Sequence, residues 1–302
     1  MSIHQPLVYI VVLNNNRCND VLECIKSLYQ NDYENFRIIM LDNLSTDNSV
    51  EAVRQQYPDV QIIELSKNLG YAGNNNIGIQ AALEQNADWI FVLNDDTVLD
   101  PFCLSSLVDI GESDLKTGMV GPMVYHFDEP NIIQSAGGAL GRFWVNTHLG
   151  KDETDHGQFT AARQVEWISG CAILVRSKLI EQVGLLDSDY FLHWEETEWC
   201  IRASKAGWRI YHVPQAKLWH KGVQRNYQPK PYVTYYVTRN RLFTLGKHHA
   251  PWAAWFVAIL QISQTLLSWS VKPKWRSLRE HRNAMWKGLV DFLQHRLGPM
   301  PS

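Results

Sequence analysis

Four short apolar runs alternate with amphipathic segments in the first hundred residues, and this alternation restricts the fold more than any other feature. The runs cover residues 7–13, 36–41, 60–65 and 90–93. Unbroken runs of this length, rich in Val and Ile, are typical of strands buried on both faces. Between the first two runs, Val21, Leu22, Ile25 and Leu28 share one face of a helix. Strand and helix in regular alternation predict an α/β chain with a Rossmann-like, mostly parallel sheet and helices on both faces.

Each predicted strand is followed by a polar cluster. Asn15 follows the first strand, Asp42 the second, the loop 68–78 the third, and Asp95 with Asp96 the fourth. Any one of these clusters alone is an ordinary turn. In a parallel sheet, however, they all lie at the carboxyl edge, where such sheets bind ligands. Carboxylate and amide oxygens at one edge suit a nucleotide accompanied by a divalent cation.

The loop 68–78 reads Asn-Leu-Gly-Tyr-Ala-Gly-Asn-Asn-Asn-Ile-Gly. It matches neither a Walker loop nor the G-x-G-x-x-G fingerprint of dinucleotide-binding enzymes. Kinase and dehydrogenase functions are therefore disfavoured.

A further polar cluster lies outside the four predicted strands, at residues 193–198, and reads His-Trp-Glu-Glu-Thr-Glu. On a helix, Glu195 and Glu198 share a face and Glu196 points elsewhere. Acidic residues are common in the first turn of a solvated helix. The alternative is a site in which one glutamate is a general base and Trp194 packs against a sugar.

Composition and charge limit the partners and the compartment. A net charge of −3 over 302 residues argues against general nucleic-acid binding. Five cysteines without a C-x-x-C pair indicate a reducing compartment, so we expect a cytoplasmic protein. We also expect no signal peptide, because the N-terminus lacks a charged start followed by a long apolar run.

The C-terminal segment differs in character from the rest. Residues 252–269 are apolar with four tryptophans nearby, and their polar positions 261, 264, 265 and 268 fall on one helical face. From Lys272 onward, seven basic residues face two acids. An amphipathic tail beside a basic stretch predicts peripheral contact with anionic lipid on the cytoplasmic leaflet of the plasma membrane. The alternatives are packing on the protein's own core and a homodimer.

Taken in order, these motifs resemble the family 2 inverting glycosyltransferases of the GT-A fold, particularly the bacterial rhamnosyltransferase-like subgroup. The resemblance covers about residues 7–250 and includes the loop 68–78, the Asn94-Asp95-Asp96 segment, Ser169-Gly170, residues 184–187, the acids at 195–198, His220 and residues 235–241. Two positions depart from the family pattern. Asn94 replaces the first Asp of the metal motif, and Glu196 replaces the usual catalytic Asp.

The resemblance implies a set of site residues. The nucleoside-diphosphate sugar, dTDP- or UDP-linked, would be bound by Asn15, Asp42, Asn68, Gly73, Asn76, Asp95 and Arg239. A Mg²⁺ or Mn²⁺ ion would be bound by Asp96, Asp95 and His220. The base would be Glu196 or Glu195, and the acceptor would contact Trp194, His193 and Asp187.

The resemblance also implies an activity and a division of the chain. We expect transfer of a sugar, with rhamnose as one candidate, to a glycan or lipid-linked acceptor in cell-surface polysaccharide synthesis. Residues 1–125 would bind the donor, 126–230 the acceptor, and 231–302 would form the helical tail. One alternative is a sugar-nucleotide pyrophosphorylase, although residues 14–20 lack the Gly-rich loop of that class. The other is a non-catalytic protein that binds carbohydrate or a membrane surface.

Overall fold

The computed structural model describes residues 5–222, 224 and 227–301. Within them, strands β1 to β12 are, in chain order, Val8–Asn14, Phe36–Asp42, Gln61–Glu64, Trp89–Asn94, Thr97–Leu99, Thr117–His126, Ile133–Ser135, Gly138–Ala139, Thr147–His148, Arg163–Gln164, Ala172–Arg176 and Arg209–His220. Helices α1 to α9 are Cys18–Tyr29, Ser49–Gln56, Gly70–Glu84, Cys103–Glu112, Ser177–Val183, Glu195–Lys205, Pro231–Lys247, Trp252–Val271 and Arg279–Leu293.

The main sheet has the strand order β10-β12-β6-β11-β4-β1-β2-β3. Strands β1, β2, β3 and β4 are mutually parallel, as their alternation with helices predicts. Strand β11 lies antiparallel between β4 and β6, and β12 runs parallel to β6. The sheet is therefore mixed but mostly parallel, and the carboxyl ends of β1, β2 and β4 lie side by side.

Both faces of the sheet are covered, which confirms the predicted layering. Along β1, Val8, Ile10 and Val12 belong to one core cluster, together with residues of α1 and α4. Tyr9 and Val11 point to the opposite cluster, with residues of α3, α5 and α6. This division follows from the two-residue period of a strand.

Two strands differ from the sequence expectation. A single strand is expected over residues 165–176, but only Ala172–Arg176 is a strand. The last strand is expected to end near Val213, but β12 continues to His220. A register shift against β6 accommodates Pro214, which has no N–H to donate to the ladder. This extension places His220 beside β5, with which the end of β12 pairs.

The last three helices pack on one another at the side of the domain. Helix α8 buries only a narrow stripe of Ala254, Ala258 and Ile262 against its neighbours. Large apolar side chains on the rest of α8 are exposed, among them Trp252, Phe256, Leu267 and Val271. Within the described residues, α8 is the one helix whose length and apolar composition would allow it to cross a membrane.

Candidate active site

The loops that follow β1, β2 and β4 meet at one edge of the sheet. The side-chain amide of Asn14 donates to Asp42 Oδ1 at 3.0 Å. The backbone N–H of Asn15 donates to Asp95 Oδ2 at 3.3 Å. Asp42 also accepts from the N–H of Ser45, so it fixes the turn after β2. The sequence places Asn15, Asp42 and Asp95 at one edge, and the structure brings them together.

Asp96 and His220 form the centre of this edge. The antiparallel pairing of β5 with β12 places Asp96 Oδ1 3.2 Å from His220 Nε2. The other ring nitrogen of His220 lies 2.8 Å from Gln134 Oε1. Because that amide oxygen can only accept, the Nδ1 atom carries a hydrogen and Nε2 is directed at the carboxylate. His220 Nε2 and Asp96 Oδ1, two atoms of the kind that bind metal ions, therefore face each other.

The two neighbouring carboxylates differ in their electrostatics. Burial, and then the negative charge of Asp96, raise the pKa of Asp95 to about 7. Burial acts in the same direction on Asp96, but His220 and Arg17 together outweigh it and lower the pKa of Asp96. Arg17 Nη1 lies 2.7 Å from Asp96 Oδ2. Asp96 therefore remains ionised, with Arg17 and His220 as its partners in this structure.

The space around Asp96 suits a metal ion shared with a substrate. A Cβ atom on Gly222 would lie 2.3 Å from Asp96 Oδ2 and 3.3 Å from His220 Nε2, so only glycine leaves this position open. Within the described ranges, no three His, Cys, Asp or Glu side chains are grouped closely enough to form a complete metal cage. Mg²⁺ is commonly bound by one or two protein ligands together with substrate phosphates. The Asp96–His220 pair fits that arrangement.

The second cluster begins with a strained loop before α6. Phe191, His193 and Trp194 have positive φ angles of 63°, 66° and 76°. Such angles are rare for bulky residues and persist only where the surroundings enforce them. Glu195 and Glu196 follow directly as the first residues of α6. The strained loop therefore sets the direction in which these two carboxyl groups point.

Helix α7 holds this loop. The amide Nδ2 of Asn240 lies 2.9, 2.9 and 2.8 Å from the carbonyl oxygens of Tyr190, Leu192 and His193. The guanidinium of Arg239 is fully buried and donates to the carbonyl of Tyr190 at 3.0 Å. The sequence analysis assigns Arg239 to the donor diphosphate. That assignment is wrong, because its donors are bonded within the protein.

The structure separates the roles of Glu195 and Glu196. Glu195 is buried, and burial followed by the charge of Glu196 raises its pKa well above the usual range. Burial therefore favours the protonated form of this carboxyl group. Glu196 is only partly buried, and desolvation raises its pKa to about 7. A general base works best with a pKa near the working pH, so the geometry favours Glu196.

Glu196 opens into a cavity of about 310 Å³, which we call the acceptor cavity. His193 and Trp194 also line it, as the sequence analysis expects for an acceptor site. Burial lowers the pKa of His193 to about 4, so this ring is neutral. The remaining lining residues are Val145, Asn146, His148, Trp167, Val237 and Arg241.

Tyr71 and Cys171 connect the acceptor cavity to the metal-side edge. The negative charges of Glu196 and Asp96 both contribute to the raised pKa of each group, after the larger effect of burial. The Tyr71 hydroxyl donates to the carbonyl of Gly170, and a Cβ on Gly170 would lie 3.5 Å from Glu196 Cγ. Asp96 and Glu196 are therefore both close enough to Tyr71 and Cys171 to affect the pKa values of these two groups.

Three residues assigned to the donor instead organise the start of α3. Asn68 Oδ1 accepts from the N–H of Gly70 at 2.8 Å, which shapes the turn. Gly73 is required because a Cβ there would lie 2.6 Å from Leu69 Cβ. The amide of Asn76 exchanges two hydrogen bonds with the backbone of Leu186. The assignment of Asn76 to the nucleoside is wrong, since its amide joins two parts of the protein.

Asp187, which the resemblance places at the acceptor, lies outside the acceptor cavity. Its side chain accepts from the N–H of Asp189 at 3.0 Å and pairs with Lys247. It is not among the residues that line the acceptor cavity. Its assignment to the acceptor is therefore replaced by a role in capping the short helical turn Ser188–Tyr190.

Several residues of the site are not identified by the sequence analysis. Gln134 lies in the short strand β7, within a segment that carries no motif. Gly222 follows His220 by two residues, and a glycine this close to a candidate ligand is a usable signal of close approach. Arg17 is part of the turn after β1, but its contact with Asp96 depends on the tertiary fold.

Known proteins that are similar to this chain agree on one family. The model of glycosyl transferase family 2 matches residues 8–184. An N-acetylglucosaminyl-diphospho-decaprenol L-rhamnosyltransferase of Mycobacterium tuberculosis is 29% identical over 236 residues, covering 72% of this chain and 77% of the relative. A dTDP-rhamnosyl transferase, RfbF of Shigella flexneri, is 24% identical over 266 residues, covering 85% and 87%. These matches give no support to the pyrophosphorylase alternative.

Solved structures agree on the fold. A mannosyltransferase from Pyrobaculum calidifontis, in complex with GDP-Man and Mn²⁺, superposes with a TM-score of 0.62 at 15% identity, covering 97% of this chain and 89% of that one. The glycosyltransferase GalNAc-T7 with UDP, GalNAc and Mn²⁺ gives 0.67 at 14% identity, covering 98% and 59%. At these identities the likeness concerns the fold, and it confirms the expected GT-A architecture.

Proposed function

This chain belongs to glycosyl transferase family 2, and from that premise we propose that it is a metal-dependent, inverting hexosyltransferase. It takes a sugar from a nucleoside diphosphate and transfers it to a glycan or lipid-linked saccharide. Residues 1–125 bind the donor with help from His220, 126–230 supply most of the acceptor site, and 231–302 form a helical tail that adds Val237 and Arg241 to the acceptor cavity. The rhamnosyltransferase relatives support rhamnose as the sugar, and the dTDP-rhamnosyl transferase supports dTDP as the carrier, with UDP as the alternative.

The donor binds along the edge formed by Asn15, Asp42 and Asp95. Asp96 and His220 hold a Mg²⁺ or Mn²⁺ ion together with the diphosphate. When bound, this ion stabilises the negative charge that develops on the leaving diphosphate. Gly222 leaves room for the diphosphate beside Asp96, which supports this placement.

Glu196 is the general base of the proposed reaction. Its carboxylate accepts the proton of an acceptor hydroxyl while that oxygen forms a bond to the anomeric carbon of the donor. The bond from the anomeric carbon to the phosphate oxygen breaks at the opposite face, so the configuration inverts and nucleoside diphosphate leaves. The single observation that carries this proposal is that Glu196 is the one acid among the residues that line the acceptor cavity.

A thermal-shift screen with nucleoside diphosphates and Mn²⁺ tests the donor site. A ligand that binds the folded state raises its melting temperature by mass action. We expect dTDP or UDP to raise it only when Mn²⁺ is present, and Asp96→Asn to remove the effect. Release of nucleoside diphosphate from the matching sugar donor would then establish an enzyme rather than a binding protein. Release of pyrophosphate from a nucleoside triphosphate and a sugar phosphate would contradict the proposal.

We also propose that helix α8 contacts the anionic inner face of the plasma membrane. Trp252 is 79% exposed and Leu267 66% exposed, and basic residues follow from Lys272. Tryptophan at the ends of such a helix is typical of headgroup depth. The narrow stripe that α8 buries within the protein attaches it to the domain, so the helix lies on a membrane rather than crossing it.

Sedimentation with vesicles tests the membrane proposal. We expect binding to vesicles that contain phosphatidylglycerol, weaker binding to purely zwitterionic vesicles, and weaker binding at high salt. Leu267→Glu should reduce binding several-fold. Leu115→Glu is the matched control, since Leu115 is 79% exposed and lies outside the tail. A concentration-dependent dimer that Leu267→Glu dissociates, without vesicle binding, would instead identify a homodimer interface.

A further inference from the structure

The acceptor cavity contains several polar atoms that the protein leaves unsatisfied. Among the described residues, Asn146 Oδ1, Trp167 Nε1, and Arg241 Nε and Nη2 are buried without a hydrogen-bond partner. All three residues line the cavity that Glu196 opens into. A buried polar atom without a partner costs free energy, so such atoms gathered around one cavity indicate a ligand site.

Arg241 is the most specific of these groups. Its Nη1 atom donates to Gln261 Oε1 at 2.7 Å, and this bond fixes the plane of the guanidinium. The unsatisfied atoms Nε and Nη2 form the other edge of the same fork. Two parallel N–H groups on one edge match two oxygens of a single carboxylate or phosphate.

The charges around the cavity leave Arg241 without a permanent counter-ion. Burial lowers the pKa values of both His148 and His193 to about 4, so these rings are neutral. Glu196 is the one acid among the lining residues. As the base it becomes neutral when it accepts the proton, so it does not balance the guanidinium throughout the reaction. The missing negative charge therefore comes with the acceptor.

We propose that Arg241 binds a phosphate group attached directly to the acceptor sugar. The cavity is at the small end of the usual range for ligand sites, which suits one sugar unit with one substituent. With a sugar hydroxyl at Glu196, the phosphate lies against the free Nε–Nη2 edge of Arg241, since the Nη1 atom is already bonded to Gln261.

This inference rests on the proposed transferase activity and narrows its acceptor class. Arg241 is a specificity-determining residue here, not a catalytic one. It also predicts that donor binding is independent of Arg241, because Arg241 lines the acceptor cavity and its hydrogen bond runs to Gln261 of α8. Donor binding is therefore the readout that separates a failure of this inference from a failure of the proposed function.

The test compares matched pairs of acceptors, each a sugar with a short alkyl diphosphate and the same sugar as a plain alkyl glycoside. We expect wild type to prefer the phosphorylated member, and Arg241→Gln to lower kcat/KM for it by about 10- to 100-fold. For the plain glycoside we expect little change. Arg241→Lys keeps the charge but loses the bidentate fork, so it should retain part of the preference. Arg54→Gln, an exposed arginine on α2, is the matched control.

Further outcomes decide the inference and the source of the phosphate. If the phosphate belongs to a lipid-linked acceptor, a longer alkyl chain on the diphosphate should increase kcat/KM. If the free sugar 1-phosphate is used equally well, the acceptor is a soluble sugar phosphate. Equal losses on both members of a pair, or no wild-type preference, would overturn the inference. If the enzyme uses neither member of any acceptor pair, binding of sugar 1-phosphates is measured by tryptophan fluorescence. Equal binding by wild type and Arg241→Gln would then also overturn the inference. Thermal shift with nucleoside diphosphate and Mn²⁺ must remain unchanged in Arg241→Gln.

Discussion

Glu196→Gln is the most informative single substitution, because its effects on activity and on stability should have opposite signs. Glutamine has the shape of a protonated glutamate but accepts no proton. Loss of a positioned general base typically lowers the rate by about 10²- to 10⁴-fold. We therefore expect sugar transfer to fall by that factor while binding of nucleoside diphosphate with Mn²⁺ stays the same.

The stability effect follows from the pKa of Glu196. Desolvation raises this pKa from 4.5 to about 7 in the folded protein. The folded state therefore binds the proton more tightly than the unfolded state does, and the associated stability is lost as the pH rises through 7. At about 1.4 kcal/mol for each pKa unit, the difference between 4.5 and about 7 makes the loss at pH 8 about 3–3.5 kcal/mol. Glutamine removes this loss, so the melting temperature at pH 8 should rise by about 4–6 °C.

The assays are initial rates of nucleoside diphosphate release and thermal melts, both measured between about pH 5 and pH 8. Wild-type kcat/KM should increase about tenfold from pH 6 to pH 8, as the fraction of ionised Glu196 increases. Glu51→Gln, at an exposed position on α2, is the control and should change neither measurement. Normal turnover by Glu196→Gln, or a lower melting temperature at pH 8, would refute the reasoning.

Three further substitutions separate the remaining roles. Glu195→Gln should change turnover less than about threefold, since Glu195 is buried and does not line the acceptor cavity. A loss as large as that of Glu196→Gln would make Glu195 the base. Gly222→Ala should weaken Mn²⁺ binding by at least about tenfold, because the new methyl group would press against Asp96 Oδ2. Calorimetry measures this affinity, and an unchanged value would place the ion elsewhere. Asn240→Ala should release the strained loop before α6 and lower kcat by about 10-fold or more without weakening donor binding. A parallel loss of donor binding would instead indicate that the protein unfolds.

The sequence determines the sheet and its carboxyl edge. Buried strands carry a continuous apolar signal, and parallel strands must end at the same edge, so local patterns suffice to bring Asn15, Asp42, Asp95 and Asp96 together. His220 is found from its place in an ordered set of motifs. The strand expected over residues 165–176 is shorter in the structure, because an apolar run alone does not distinguish a strand from a buried connection.

Only the tertiary structure decides which way neighbouring side chains point. Arg239 and Arg241 are two residues apart on α7, so they face nearly opposite directions. The sequence offers no means of telling their environments apart, whereas packing buries Arg239 under the loop before α6 and leaves Arg241 at the acceptor cavity. The same holds for Glu195 and Glu196, since the left-handed turn at Trp194 directs one into the core and the other into the cavity. Their direction depends on contacts between distant segments, which no local pattern records.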